Sequence, residues 1–208
     1  MIIMKIKYYQ LLTCCRPKKE PYIWSKTNMN DFGLDEDDFL MGKDFSAFNQ
    51  RIRFEIGDYG SYGELDDGLQ GTMIKLPVVS ESVKEKITER GITGLQYVPV
   101  DVITEESKVE YWIINCLQCI NAFDYDNSEY HSKSFFSGDP NDKYIIRYVK
   151  KYALHEELVI GHDMFVLNYE PYRRVIVSSK IKNLFLKNKF SGWSFKPVYL
   201  TRNNKIIE

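Results

Sequence analysis

The stretch PVVSESVKEKITERGITGLQYVPV, Pro77 to Val100, decides the fold, because it returns as VIVSSKIKNLFLKNKFSGWSFKPV from Val175 to Val198. The offset is 98 residues throughout and no gap is needed. Val79, Ser80, Lys84, Gly94, Pro99 and Val100 recur as Val177, Ser178, Lys182, Gly192, Pro197 and Val198. Val78, Val83, Ile87, Leu95 and Tyr97 recur as Ile176, Ile181, Phe185, Trp193 and Phe195, apolar for apolar.

Each copy predicts the same local order. An apolar, β-branched run forms a strand. Ser80, or Ser178, stands where its hydroxyl can accept from an unpaired first-turn amide and cap a short helix. Ser82 with Glu85 offers an alternative capping box. Val83 and Ile87, and in the second copy Ile181, Leu184 and Phe185, give each helix one buried stripe. Gly91 suits the left-handed conformation that closes a helix, with Asn188 as its replacement in the second copy. A second strand follows, opened by Leu95 and Tyr97 or by Trp193 and Phe195. Pro99 removes a ladder donor there, which predicts an edge position or a bulge. Two such units are too few for a solenoid, which needs at least three repeats. The predicted class is α+β, with a mostly antiparallel or mixed sheet, few short helices and two similar strand-helix-strand units. Residues 1–208 are expected to form a single domain, with an acidic N-terminal part over 1–75 and the repeat-containing core over 76–200.

Outside the repeats the signals are weaker. RIRFEI alternates like a strand with Ile52, Phe54 and Ile56 on one face. YWIINCLQCINAF reads as one buried strand, and ELVIGHDMFVLNYE as two strands joined near Gly161, His162 and Asp163. The N-terminal MIIMKIKYYQLLTCC has no basic-then-apolar order of an export signal. Nor does any run approach the roughly 20 apolar residues that span a bilayer. A cytoplasmic protein is expected, whose first strand alternates Ile6, Tyr8 and Gln10 with Lys5, Lys7, Tyr9 and Leu11.

Composition excludes few classes. With 208 residues, 44% of them apolar and 14% aromatic, the chain can bury a full core and is no candidate for disorder. A net charge of -1 gives no drive toward nucleic acid or an anionic membrane. The charge is unevenly placed, however. Between residues 29 and 70 eleven acidic residues face three basic ones, and from 141 onward thirteen basic residues face six acidic ones.

Recognisable chemistry is sparse. Cys116 and Cys119 form a CxxC, but on a strand an offset of three points two side chains to opposite faces, and adjacent Cys14 and Cys15 are poorly spaced for a metal. No metal or cofactor is expected. His131, His155 and His162 fall in no ligand motif, and no phosphate-binding loop or nucleophile elbow is present. Asp124, Asp126 and Ser128 form a polar knot, either a carboxylate pair for metal or acid-base work or, the preferred reading, side chains bonding their own backbone at a strand end. The aromatics among the basic C-terminal residues suit base stacking, but the cations are spread over several faces and the acidic segment is available to pair with them. No enzyme and no nucleic-acid module is expected.

The ordered set does carry a resemblance. LPVVSESVKEKITERGITGLQYVPVDV, YWIINCLQCINAFDYDNSEY, IGHDMFVL and VIVSSKIKNLFLKNKFSGWSFKPVYL resemble, in order and spacing, a family of bacterial polymorphic-toxin immunity proteins. The matching positions are Val79 and Ser80, Gly94 with Tyr97, Asp124 with Ser128, Met164 and Phe165, and Val177 and Ser178 with Gly192 and Phe195. This resemblance covers roughly Leu76 to Leu200, with the first 75 residues matching loosely. It implies an α+β fold and a protein that binds a cognate secreted toxin domain and blocks its active site in the producing cell. It carries over no catalytic residue. The alternative is a non-catalytic protein- or peptide-binding module outside toxin defence. The contact surface expected on charge grounds is the acidic segment, since acids opposite a basic cleft speed association. Asp35, Glu36, Asp37 and Asp38 are its named residues, with Phe32, Phe39 and Tyr59 as aromatic anchors.

Overall fold

A computed structural model describes residues 7–13, 33–55, 65–70, 76–103, 107–130, 133–135, 144–146, 149–168, 173–203 and 205–207. In chain order the elements are β1 (Tyr8–Thr13), α1 (Glu36–Leu40), β2 (Ile52–Glu55), β3 (Gly68–Gln70), β4 (Pro77–Ser80), α2 (Glu81–Glu89) and β5 (Leu95–Ile103). Then come β6 (Lys108–Cys116), β7 (Cys119–Ile120), β8 (Glu129–Tyr130), β9 (Lys133–Phe135), β10 (Tyr144–Ile146), β11 (Val149–Lys151) and β12 (Ala153–His155). The last third holds α3 (Glu156–Val159), β13 (Met164–Leu167), β14 (Arg174–Ser178), α4 (Ser179–Lys187), β15 (Trp193–Arg202) and β16 (Lys205–Ile207). The architecture is α+β, mixed sheets with a few short helices.

The two predicted units are β4-α2-β5 and β14-α4-β15, and each stands in its own sheet. The likeness reaches beyond the repeated sequence. One sheet runs β2-β5-β6-β4-β3, and the other contains β12-β15-β1-β14-β13. Strand directions agree at every step. β2 and β12 lie parallel to β5 and β15, and all other neighbours in these two runs are antiparallel. In both units a foreign strand is inserted between the two strands of the repeat, β6 in one and β1 in the other.

Register makes the match residue by residue. Tyr111 stands opposite Val100 and Ser80, as Tyr8 stands opposite Val198 and Ser178. Trp112 and Tyr9 likewise face Pro99 and Pro197. The long strand β6 therefore has two partial counterparts. Its first part, facing Ile103 and Val102, corresponds to β16, where Ile207 faces Leu200. Its later part corresponds to β1. Only the position opposite Tyr199 separates Ile207 from Tyr8 along this row. The prolines fit the expectation of a local edge. β2 begins opposite Val100 and β12 opposite Tyr199, each past the proline, so no ladder donor is missed on that side.

Alternation along the strands sorts the core into three layers. Val78 and Ile113 point to an outer core roofed by α1 through Phe39 and Leu40. On the other sheet Ile176, Tyr8 and Phe165 point to a second outer core that includes Val159 of α3. Between the sheets, Val79, Ile114, Leu11 and Val177 meet Val83 and Ile87 of α2 and Ile181, Leu184 and Phe185 of α4. Each repeated apolar stripe is thus buried in a core that both units share. Phe185 anchors it, stacked on Trp193 at 4.8 Å and edge-on to Phe190 and Phe195.

Several local expectations need correction. Ser80 occupies the cap position of α2 but makes no side-chain cap bond, whereas Ser178 accepts from the Lys180 amide. With Ser80 in that place, Ser82 and Glu85 fall inside the helix rather than at its cap. The left-handed residue after α4 is Lys189, at φ 56°, not Asn188. Asn188 instead turns its amide back to the Leu184 carbonyl at 2.8 Å. The segment read as one strand through Cys116 and Cys119 is two. It leaves the first sheet after Cys116 and pairs with β13 in the other from Cys119, the turn held by Leu117 N–H donating to the Gly94 carbonyl. Finally, the first half of the expected hairpin before Gly161 is the short helix α3, whose Glu156 is buried against Arg202.

Candidate partner-binding surfaces

The acidic segment contributes the short helix α1 and the turn after it. Asp35 is exposed, and Asp38 forms a half-exposed ion pair with Lys43 at 2.6 Å. Glu36 and Asp37 open α1, but their side chains lie outside what is described, and Phe32 and Tyr59 lie outside the described residues altogether. Phe39 is a core residue. It is 0% exposed and stacks on Phe45 at 4.1 Å, so it offers nothing to a partner. An amphipathic turn of helix buries one residue in three or four, and here that residue is the aromatic one.

The apolar groups that this face does expose are Met41, at 53%, and Leu117, at 37%. The backbone of Gly42, next to Met41, rests against the Leu117 carbonyl, which brings the two chain segments together. Two polar residues of the first sheet fix the turn that carries them. Asn115, fully buried, donates to the Lys43 carbonyl at 2.8 Å and to Gln96 Oε1 at 3.1 Å. Gln96 in turn accepts from the Phe45 amide and donates to Asp44. The Asp44 carboxyl is held below its ordinary value, first by the Ser46 amide and then by the Ser46 hydroxyl. An asparagine inside an otherwise apolar strand was the available sequence signal for this anchor.

A groove of about 730 Å³ lies between α2, α4 and the Gly161–Asp163 turn. Lys86, Glu89 and Arg90 line it from α2, and Ser179, Lys180, Asn183 and Lys187 from α4. Tyr8 and His162 are at its wall. Burial first, and then Asp163 nearby, push the Tyr8 hydroxyl up to about 12, so it stays a neutral donor to the Val159 carbonyl. Lys180 pairs with Asp163 at 2.8 Å and Lys86 with Glu89 at 2.7 Å. No sequence motif marks this place, because its residues come from three separated elements.

The other candidates resolve into structure. Asp124 accepts from the amides of Asp126 and Asn127, from Asn127 Nδ2 and from the Thr201 hydroxyl at 2.7 Å. Ser128 bonds the Ala153 amide at 3.0 Å, tying the knot to β12. His155 sits 3.8 Å from the Asp124 carboxylate. Cys116 is fully enclosed, and burial drives its thiol well above the usual range, while Cys119 donates to the Leu40 carbonyl at 3.0 Å. Cys14, Cys15 and His131 lie outside the described residues. Among the described residues no cluster of three or more His, Cys, Asp or Glu is arranged to hold a metal. No described helix is long and apolar enough to cross a membrane.

No curated protein matches the chain significantly. A family profile does match it, over residues 19–199, and it describes an immunity protein family, Imm11. The match includes both duplicated units and much of the acidic N-terminal part, well beyond the Leu76–Leu200 span on which the motif resemblance rested. A duplicated α+β scaffold whose repeated residues are cores, caps and turns thus belongs to the immunity protein family Imm11.

Proposed function

We propose that this protein binds a cognate secreted bacterial toxin domain in the producing cell and neutralises it by covering its active site, without catalysis of its own. The family match over both units carries this reading. The repeated residues support it, since they are consumed in building a scaffold. What remains for function is the surface.

For the contact surface we favour the face around α1, with Asp35, Glu36, Asp37 and Asp38 supplying charge. Met41 and Leu117 supply the apolar anchors that Phe39 cannot. Exposed apolar side chains on a segment that also carries acidic residues fit the usual anatomy of an interface, with a desolvated centre and a polar rim. Asn115 and Gln96 hold the loop rigid, which limits the ordering cost on binding. Phe32 and Tyr59 stay in the proposal as further anchors.

The test is to read the open reading frame next to this gene and to co-express any toxin-like domain that it ends in. Rescue of growth and a stable isolated complex are expected. Reversing all four acids to lysine should weaken the complex by roughly tenfold or more and flatten its salt dependence. Unchanged affinity would remove the α1 face and leave the role standing. Neither rescue nor complex would remove the role itself.

A further inference from the structure

The duplication allows one unit to be read against the other. In the first, the Ser80 amide donates to the Asp67 carbonyl at 2.8 Å and its hydroxyl to the Asp67 carboxylate. In the second, Ser178 does the same to Asp163, at 2.8 Å and 2.7 Å. Asp67 and Asp163 are therefore equivalent, each one residue before the strand that pairs with the helix-bearing strand.

Their remaining oxygens are treated differently. Asp67 Oδ2 accepts the amide of Ser191 at 3.0 Å and its hydroxyl at 3.3 Å, and Gly68 N–H donates to the Ser191 carbonyl. A loop of the second unit thus seats itself on the first, and a side chain at Gly192 would strike the Gly68 carbonyl. Among the described residues no such loop arrives at Asp163. The place is the open groove. Its Oδ2 is instead met by the ammonium of Lys180, which stands where the first unit has Ser82.

That exchange inverts the chemistry offered to a visitor. Asp67 presents an acceptor and takes donors. At Asp163 the donor is already supplied, and the groove presents the spare protons of Lys180. Glu89 is likewise neutralised by Lys86. Arg90 and Lys187, at the ends of α2 and α4, have no ion-pair partner among the described residues and line the same groove. We infer that this groove is a docking site for an acidic loop of a partner protein, held by Lys180, Arg90 and Lys187 at the position that a loop of the chain itself fills in the sister unit. The inference adds a second surface to the toxin-binding reading, and its test does not depend on that reading.

The probe is a fluorescein-labelled hexaglutamate peptide titrated into the full chain at low ionic strength, followed by anisotropy. Saturable binding is expected, with amide shifts at His162, Asp163 and Asn183. The double variant Arg90→Glu with Lys187→Glu should weaken binding by roughly tenfold. Both side chains are at the surface, and circular dichroism checks that the variant folds. A control, Lys150→Glu with Lys205→Glu, should change nothing. Equal losses in control and double variant would mean unspecific attraction and overturn the site. So would absent groove shifts, or a single-stranded oligonucleotide that binds more tightly than the peptide. If the peptide binds but no toxin complex forms, the groove stands and the immunity role does not.

Discussion

Single residues show most directly why the repeated letters repeat. Lys84 and Lys182 look like solvated helix cations in the sequence, yet each lies over an aromatic ring of the inserted strand. Lys84 Nζ is 3.3 Å from the Trp112 ring centre and Lys182 Nζ is 4.0 Å from that of Tyr9, a contact typically worth about 0.5–1 kcal/mol at exposed sites. Asp124 is a second case, where a carboxylate serves architecture. Burial alone would raise its pKa, but bonds from Thr201 and Asn127, with His155 near, hold it below the ordinary value of 3.8. A depressed folded value means that the ionised group stabilises the fold fully above that ordinary value. The contribution is lost as pH falls through the folded one. Urea unfolding between neutral and acid pH should show this loss in the wild type. Asp124→Asn should cost about 1–3 kcal/mol at neutral pH and show a shallower acid slope. An equal slope would assign the acid sensitivity elsewhere.

At the scale of elements, the helix ends carry the testable difference between the copies. Gly91 and Lys189 occupy equivalent left-handed positions at φ 70° and 56°. A side chain there costs about 1–2 kcal/mol, part of which glycine gives back through the freer unfolded chain. Lys189→Gly should therefore raise stability by about 0.5–1 kcal/mol, or about 1–4 °C in melting temperature for a chain of this size. Thermal denaturation decides it. The repeated strand-helix-strand pattern was readable because caps and apolar stripes are local and kept their spacing. The partners of those strands were not. β3 and β13 are equivalent but begin with Gly68 and Met164, and the interval to their partner strands differs by two residues. Of the proposed contact residues, four acids were readable as charge. The burial of Phe39 was not, because one apolar turn does not say which side chain will roof a sheet.

Across the whole molecule, the second unit is a permuted version of the first. Its inserted strand is assembled from the two ends of the described chain, β1 and β16, with only one strand position between Ile207 and Tyr8. The sequences can be laid along the same register, IIE at the end and YYQLLT near the start against KVE and YWIINC of β6. Moving Lys205–Glu208 to stand directly before Tyr8, in place of residues 1–7, should give one continuous strand. The product should keep its melting temperature within about 4 °C, a shift equivalent to roughly 1 kcal/mol at this size. Failure to fold would show that the β15–β16 connection matters more than the shared register.

The placement of β1 also sets an order of events during synthesis. Its neighbours β14 and β15 are synthesised long after it, with most of the described chain in between. At 5–20 residues per second, the nascent chain carries Tyr8 and Leu11 unburied for about ten seconds or more. The first sheet meets no such delay, because β6 follows β5 at once. One half of the protein is thus ready early, and the other waits with an apolar strand open to whatever binds such strands in the cell.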